Sequence, residues 1–356
     1  MPPRSHVGLA RAIEHHFARK LDRANARPCG KQRPQTEQSH KDDDNHAKIH
    51  KLGDYTAFDG VRNFESERQF FHYNRRMKEL VFLKLGGSLI TDKTQPYTPL
   101  LDVMDDLALQ IKTALQTHPN LHLVLGHGAG SFGHVPASEY KTRDGLPPKA
   151  TPLVHRERDE TEDNYWKGFA EVWYQASTLN RYLMNALHKA GLRTIALPPS
   201  SSVIASNGQV SAWEMTPIRM ALAAGMVPVI FGDTVFDEVR GGTILSTEDL
   251  FQHLTRALHP ERILLAGLEA GVWADFPNRT KVIETITPAS FNEIKANVGK
   301  SAAADVTGGM ESKVRQMLEL VEGNPDLEIQ IFSGTEPGHI VRTLTGERLG
   351  TVIKAE

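Results

Sequence analysis

Six short apolar runs, at residues 80–85, 121–125, 193–197, 226–231, 262–266 and 328–332, recur at wide spacing along this chain. Each has the length of a buried strand and is too short for a buried helix. Most intervals between them carry helical periodicity. Apolar strands joined by helices fit a parallel sheet with crossover connections. The spacing therefore predicts an α/β fold, with a mostly parallel central sheet, helices on both faces and a few hairpins. Residues 233–245, with Gly241-Gly242 near the middle, read as one hairpin. Residues 343–353, turning at Thr345-Gly346-Glu347, read as a closing hairpin.

The first 78 residues differ in kind. Residues 31–50 are almost wholly polar and include Asp42-Asp43-Asp44 and several histidines. Such a segment buries too little apolar area to offset its ordering entropy, so residues 1–78 read as a polar, largely disordered extension and 79–356 as the folded domain. The histidine spacing there is irregular, which favours a solvated tail over a metal site, and no metal ligands are assigned. The 16 basic and 10 acidic residues of 1–78 put a net +6 there, against −8 for the remainder. With −2 overall and no recognisable module, nucleic acid is not an expected partner.

Leu9, Ile13, Phe17 and Leu21 stand four apart, as in an amphipathic transit peptide. Glu14, Asp22 and the scarcity of serine argue against that reading, and a cytoplasmic location is expected. No apolar run suits a secretory signal or a membrane span. A single cysteine, Cys29, rules out an intrachain disulfide and suits a reducing compartment.

Three glycine segments carry the chemistry. Gly126-His127-Gly128-Ala129-Gly130-Ser131-Phe132-Gly133-His134 follows the second apolar run. Closely spaced glycines let backbone amides form an anion-binding nest, and His134 can aim an imidazole at the anion. Gly128, Gly130 and Gly133 also satisfy G-x-G-x-x-G, but no second strand follows, as a dinucleotide unit would require. No Walker A motif occurs. The first run contains Lys84 and leads into Gly86-Gly87-Ser88 and then Lys93. A lysine in an apolar strand is costly unless it is paired, and beside a glycine turn it can reach an anion. In Asp305-Val306-Thr307-Gly308-Gly309-Met310-Glu311-Ser312-Lys313, paired glycines open a helix. Its amides face outward, and Lys313 opposes the helix dipole until an anion relieves the conflict.

Taken together, Lys84-Leu85-Gly86-Gly87-Ser88, the Gly128–His134 loop, Gly232-Asp233 and the Asp305–Met310 run with Lys313 resemble the amino acid kinase superfamily. Within it they are most similar to the isopentenyl phosphate kinase family. The resemblance covers 79–356 and implies a three-layer αβα sandwich, with 79–232 as acceptor-binding lobe and 233–356 as ATP-binding lobe. It implies phosphorylation of isopentenyl phosphate by ATP with Mg²⁺, and a homodimer. A phosphate monoester is already an anionic nucleophile near neutral pH, so the protein's task is to bring two anions together.

By matching position, the resemblance gives Lys84 the transferring phosphoryl group and His134 the acceptor phosphate. Ala129, Gly130 and Ser131 would offer amides between acceptor and donor. Lys93, Gly86, Gly87, Ser88, Gly267, Gly308, Gly309 and Lys313 would line the ATP side. Asp233 would orient Lys84 or neighbouring amides. Phe169 and Val172 would line the hydrocarbon pocket, sharing a helix face with Trp173 at i, i+3, i+4; the same stripe also suits plain core.

The chain departs from the family at three places. Gly128-Ala129-Gly130 stands where three glycines are common. Residues 266–273 replace a more usual Thr-Asp-x-x-Gly-Val. Ser246-Thr247-Glu248-Asp249 replaces Ser-Gly-Asp-Asp, which brings Thr247 toward the acceptor site. Two alternatives stay open: a sibling kinase for another phosphate or phosphonate acceptor, and a non-catalytic nucleotide sensor.

Overall fold

The computed structural model describes residues 79–146, 159–294 and 309–356. All fall in one compact unit, 58–356. The expected extension and the stretch Asp305 to Gly308 lie outside the described residues.

The six apolar runs become β1 (Glu79–Leu85), β2 (Leu121–His127), β3 (Thr194–Ala196), β6 (Val227–Phe231), β9 (Arg262–Gly267) and β11 (Glu328–Ser333). With β10 (Thr285–Ile286) and β12 (Thr351–Ile353) they form one eight-stranded sheet, ordered β10-β12-β11-β9-β1-β2-β6-β3. Every neighbouring pair is parallel except β11 with β12. The helices are α1 (Gly87–Ile90), α2 (Leu101–Thr117), α3 (Gly130–Tyr140), α4 (Glu160–Lys189), α5 (Thr216–Ala223), α6 (Thr247–Leu258), α7 (Pro288–Ile294), α8 (Gly309–Gly323) and α9 (His339–Leu344).

Strand periodicity sorts these helices into two layers. Leu80 and Phe82 of β1 pack with Ile230, Ile263, Leu250 and Phe251 of α6, and Met317 of α8. Their neighbours Val81, Leu83 and Leu85 point the other way, against Met104 and Ile111 of α2, Leu179 and Leu183 of α4, and Ile340 of α9. Each fully buried side chain of this size is worth about 1.5–3 kcal/mol in transfer free energy. The sheet is therefore held from both faces, as the three-layer expectation requires.

The first hairpin forms: β7 (Asp233–Asp237) and β8 (Gly241–Leu245) pair antiparallel. Its turn is Glu238 to Arg240, while Gly241-Gly242 opens β8. The turn is fixed by Asp237, whose Oδ1 accepts the amides of Val239 and Arg240. These strands join β4 (Val203–Ser206) and β5 (Gln209–Trp213) in a second sheet, ordered β5-β4-β7-β8. The closing hairpin does not form. Ile340, Thr343 and Leu344 are buried at helical spacing in α9. The chain then turns through Gly346 and Gly350, both at positive φ, so that β12 pairs with β11 instead. A helical period in that short apolar stretch outweighed the strand reading.

Order along the sheet reverses around β1, which lies between β2 and β9. In open α/β sheets, ligands bind outside the carboxyl ends of the strands at such a switch point. There the glycine segments after β1 and β2, and Gly267 at the end of β9, come together.

Candidate active site

The turns after β1 and β2 cross in backbone contact. Gly86 donates its amide to Ala266 O (2.8 Å), tying β1 to β9, and Gly128 donates to Leu85 O (3.0 Å). A Cβ on Gly87 would lie 2.6 Å from Gly130 Cα, and one on Gly128 would lie 2.8 Å from Gly87 N. Gly130 adopts φ +51°, and a Cβ there would sit 2.7 Å from Gly87 O. Close approach and positive φ both demand glycine here.

The nine-residue glycine segment is not one loop. Gly126 and His127 end β2, Gly128 and Ala129 form the link, and α3 begins at Gly130. Ala129 keeps φ at −78°, which accommodates its methyl group. Half-buried His134 lies in the early part of α3 rather than closing a turn. One expected amide is engaged: Ser131 donates its N–H to Thr91 Oγ1 (3.0 Å), and that hydroxyl donates in turn to Gly87 O (2.8 Å). The amides of Ala129 and Gly130 have no protein acceptor among the described residues. Ser131 Oγ is buried there without a hydrogen-bond partner. A buried hydroxyl left over at a helix N-terminus suits a bound anion.

Lys84 lies on the face of β1 that also carries Leu80 and Phe82, so it points toward α6. Its strand register places it beside Gly126. A Cβ on Gly126 would lie 2.5 Å from the Thr247 methyl, so this glycine lets the N-terminus of α6 sit on the sheet. A capping box holds that terminus: Ser246 Oγ accepts the Asp249 amide, and Asp249 accepts the Ser246 amide. Thr247 is buried and donates its hydroxyl to His127 O (2.6 Å).

The next residue, Glu248, is the candidate site side chain that sequence reasoning missed. It is buried and ion-pairs with Lys84, while Lys313 Nζ lies 3.8 Å from its other oxygen. Burial alone would raise its pKa, but the two ammonium groups outweigh burial and bring it down to about 2. The available signal was Lys84 itself. An ammonium in an apolar strand needs a buried counter-charge, and the only open question was which acid supplies it.

Asp233, expected to orient Lys84 or neighbouring amides, holds amides: Ser200 N–H at 3.1 Å and Thr234 N–H at 2.9 Å. Burial raises its carboxyl to about 6 against those bonds. Lys93 is exposed. Gly309, at φ +77°, opens α8, and a Cβ on Gly267 would meet no atom within 4 Å, so the end of β9 faces open space. Glu248, Lys313, Arg143, Asp249, Gly309 and Ser312 line a cavity of about 240 Å³. In the altered 266–273 stretch, Glu269 accepts a hydrogen bond from Trp273 Nε1 (2.7 Å) and pairs with Arg279.

Phe169 and Val172 are buried on α4. The Phe169 ring lies 5.3 Å from both Trp166 and Phe236, beside Tyr165. Trp173 does not share their environment, being 46% exposed. Val172 and Trp173 differ by 100° around the helix, and the buried stripe runs through Phe169, Val172 and Ala176 instead.

The amino acid kinase family matches this chain over residues 79–333. The isopentenyl phosphate kinase of Methanothermobacter thermautotrophicus is 32% identical over 276 residues, spanning 76% of this chain and 97% of that protein. That of Methanocaldococcus jannaschii is 31% identical over 279 residues, 77% of this chain and 98% of that protein. A crystal structure described as isopentenyl phosphate kinase superposes with a TM-score of 0.64 at 28% identity, covering 78% of this chain and all of that one.

Proposed function

The chain belongs to the amino acid kinase family, and from that premise we propose that it transfers the γ-phosphoryl group of ATP to isopentenyl phosphate, yielding isopentenyl diphosphate. One observation carries the reading. At the switch point of the sheet, two lysines from distant segments converge on one buried carboxylate beside interlocked glycine turns and a helix N-terminus with unused donors. Such a rim supplies positive charge and directed N–H groups, with no dedicated base. That is the equipment a nucleophile which is already anionic requires.

In this reading the acceptor phosphate sits at the N-terminus of α3, held by His134, the Ala129 and Gly130 amides and the Ser131 hydroxyl. Lys84 stabilises charge on the transferring group, and Glu248 fixes where Lys84 and Lys313 stand. Lys93, the Gly86-Gly87-Ser88 turn, Gly267, Gly309 and Lys313 face the ATP phosphates. Thr247 and Asp233 support the rim through backbone groups. Phe169 and Val172 bound the hydrocarbon tail.

Mg²⁺ would arrive on ATP, keep its waters and neutralise phosphate charge when bound. A homodimer working in the cytoplasm completes the proposal. Among the described residues no helix is long and apolar enough to cross a membrane.

The test is ATP- and Mg²⁺-dependent turnover of isopentenyl phosphate beside dimethylallyl phosphate, UMP and fosfomycin. Selective formation of isopentenyl diphosphate is the expected result. Preferred turnover of UMP or fosfomycin would move the chain to a sibling kinase, and ATP binding without any turnover would make it a sensor.

A further inference from the structure

His127 is fully buried at the end of β2, its ring stacked on Phe231 at 5.2 Å and 16°. Its two nitrogens have different neighbours: Nδ1 lies 3.1 Å from Gly128 O, and Nε2 lies 3.1 Å from Asn180 Nδ2. A carbonyl oxygen can only accept, so the proton of the neutral ring is assigned to Nδ1. Nε2 then accepts from the Asn180 amide. This is the single neutral arrangement that satisfies both contacts. Burial holds the ring neutral, with the Lys84 charge adding to it, against the pull of the Gly128 carbonyl.

The Gly128–Ala129 peptide is the one this bond restrains. In a trans peptide the C=O and N–H point in opposite directions. With the Gly128 oxygen drawn toward the buried imidazole, the Ala129 N–H must face away from it. Glycine imposes no Cβ barrier of its own against turning that peptide over. A flipped peptide would present a carbonyl oxygen where the proposed site needs a donor.

We propose that His127 is a positioning residue, whose Nδ1–H locks the Gly128–Ala129 peptide so that the Ala129 amide faces the phosphate. Asn180 is its orienter, fixing the ring tautomer from α4. The inference rests on the kinase reading above.

The experiment compares His127→Phe, His127→Asn and Asn180→Leu in the full chain. Phe keeps a stacking ring without the donor, and Asn can place a side-chain N–H near the Nδ1 position. With isopentenyl phosphate and ATP, His127→Phe should lower kcat/KM about 10–100-fold while Tm stays within a few degrees of wild type. His127→Asn should restore most of that loss. Asn180→Leu should impair wild type but add little in the His127→Phe background.

In wild-type protein labelled with ¹⁵N-alanine, the Ala129 amide should shift on titration with inorganic phosphate, and the shift should vanish in His127→Phe. Wild-type protein inactive on isopentenyl phosphate yet showing that Ala129 shift would fail the kinase reading and keep the positioning role. Full activity of folded His127→Phe, or an Ala129 shift it retains, would overturn the inference. If His127→Phe does not fold, unchanged kinetics and an unchanged Ala129 shift in Asn180→Leu would overturn it equally.

Discussion

The interior of the large sheet and the rim at its carboxyl ends are built from the same strands by opposite means. Inside, β1 is held by Val81, Phe82, Leu83 and Leu85, all with no measurable exposure, against helices on both faces. Contacts there are many and individually replaceable. At the rim the same strand carries Lys84, paired with one carboxylate, and ends in glycines that touch another backbone. Those contacts are few and specific, and a methyl group is enough to break them. The difference separates where stability resides from where the proposed chemistry would take place. Burial over a wide area holds the sheet, and that reserve lets the rim keep a buried charge pair and unused donors that by themselves would not favour folding.

The largest expected effect separates the two regions. Lys84→Met should lower kcat by about 10³-fold or more, because the charge acts mainly in the transition state. It also leaves Glu248 buried with Lys313 as its remaining cation at 3.8 Å, which should cost about 3 kcal/mol of stability. Adding Glu248→Gln should return much of that stability and none of the rate. Urea unfolding and steady-state kinetics on the single and double variants measure both. Equal recovery of rate and stability would collapse the distinction.

Next come matched single changes. Leu83→Ala, in the interior, should cost about 2–5 kcal/mol while the folded fraction keeps a near-normal kcat. Gly130→Ala, at the rim, should cost activity in the folded enzyme, roughly 100-fold in kcat/KM, through a Cβ at positive φ beside Gly87 O. If Gly130→Ala behaves like Leu83→Ala, the rim is merely packed like the interior.

The pH dependence sharpens the comparison further. His127 has its folded pKa lowered from 6.5 to about 4, so its burial disfavours the charged ring. The stability tied to its neutral form is complete above pH 6.5. It is lost as pH falls toward 4, by about 3 kcal/mol in total. Glu248 acts in the same direction at lower pH, its stabilising ionisation being lost as pH falls from about 4.5 toward 2. Asp233, whose burial raises its carboxyl to about 6, gains stability over the same window and opposes this loss. The test is therefore the difference between wild type and His127→Asn in unfolding titrations from pH 7 to 4. Wild type should lose more stability than His127→Asn as pH falls, and identical profiles for the two would disprove the assignment. The smallest effect is expected from Phe169→Ala, a several-fold rise in KM for isopentenyl phosphate with relaxed preference toward longer isoprenoid monophosphates, read by competition kinetics.

The sequence by itself determined the sheet. All six apolar runs became strands; in five of them burial on both faces writes a continuous hydrophobic signal into local sequence, whereas the edge strand β3 leaves Ile195 exposed. It also marked the glycines of the rim, whose requirement for a missing Cβ is a residue identity. Weaker signals failed where two periods compete over a few residues, as in α9, where a pairing is too short to show, as in β10, or where a strand found a different partner from the one expected, as β12 did in pairing with β11. Three things only the tertiary structure decided. It chose Glu248, 164 positions beyond Lys84, as the counter-charge. It took the Ser131 amide away to Thr91 and left the hydroxyl unused. And it set Asn180 against the ring of His127. Each is a pairing between distant segments. A chain can state that a charge or a donor needs a partner, but which partner arrives depends on how strands and helices stack in three dimensions.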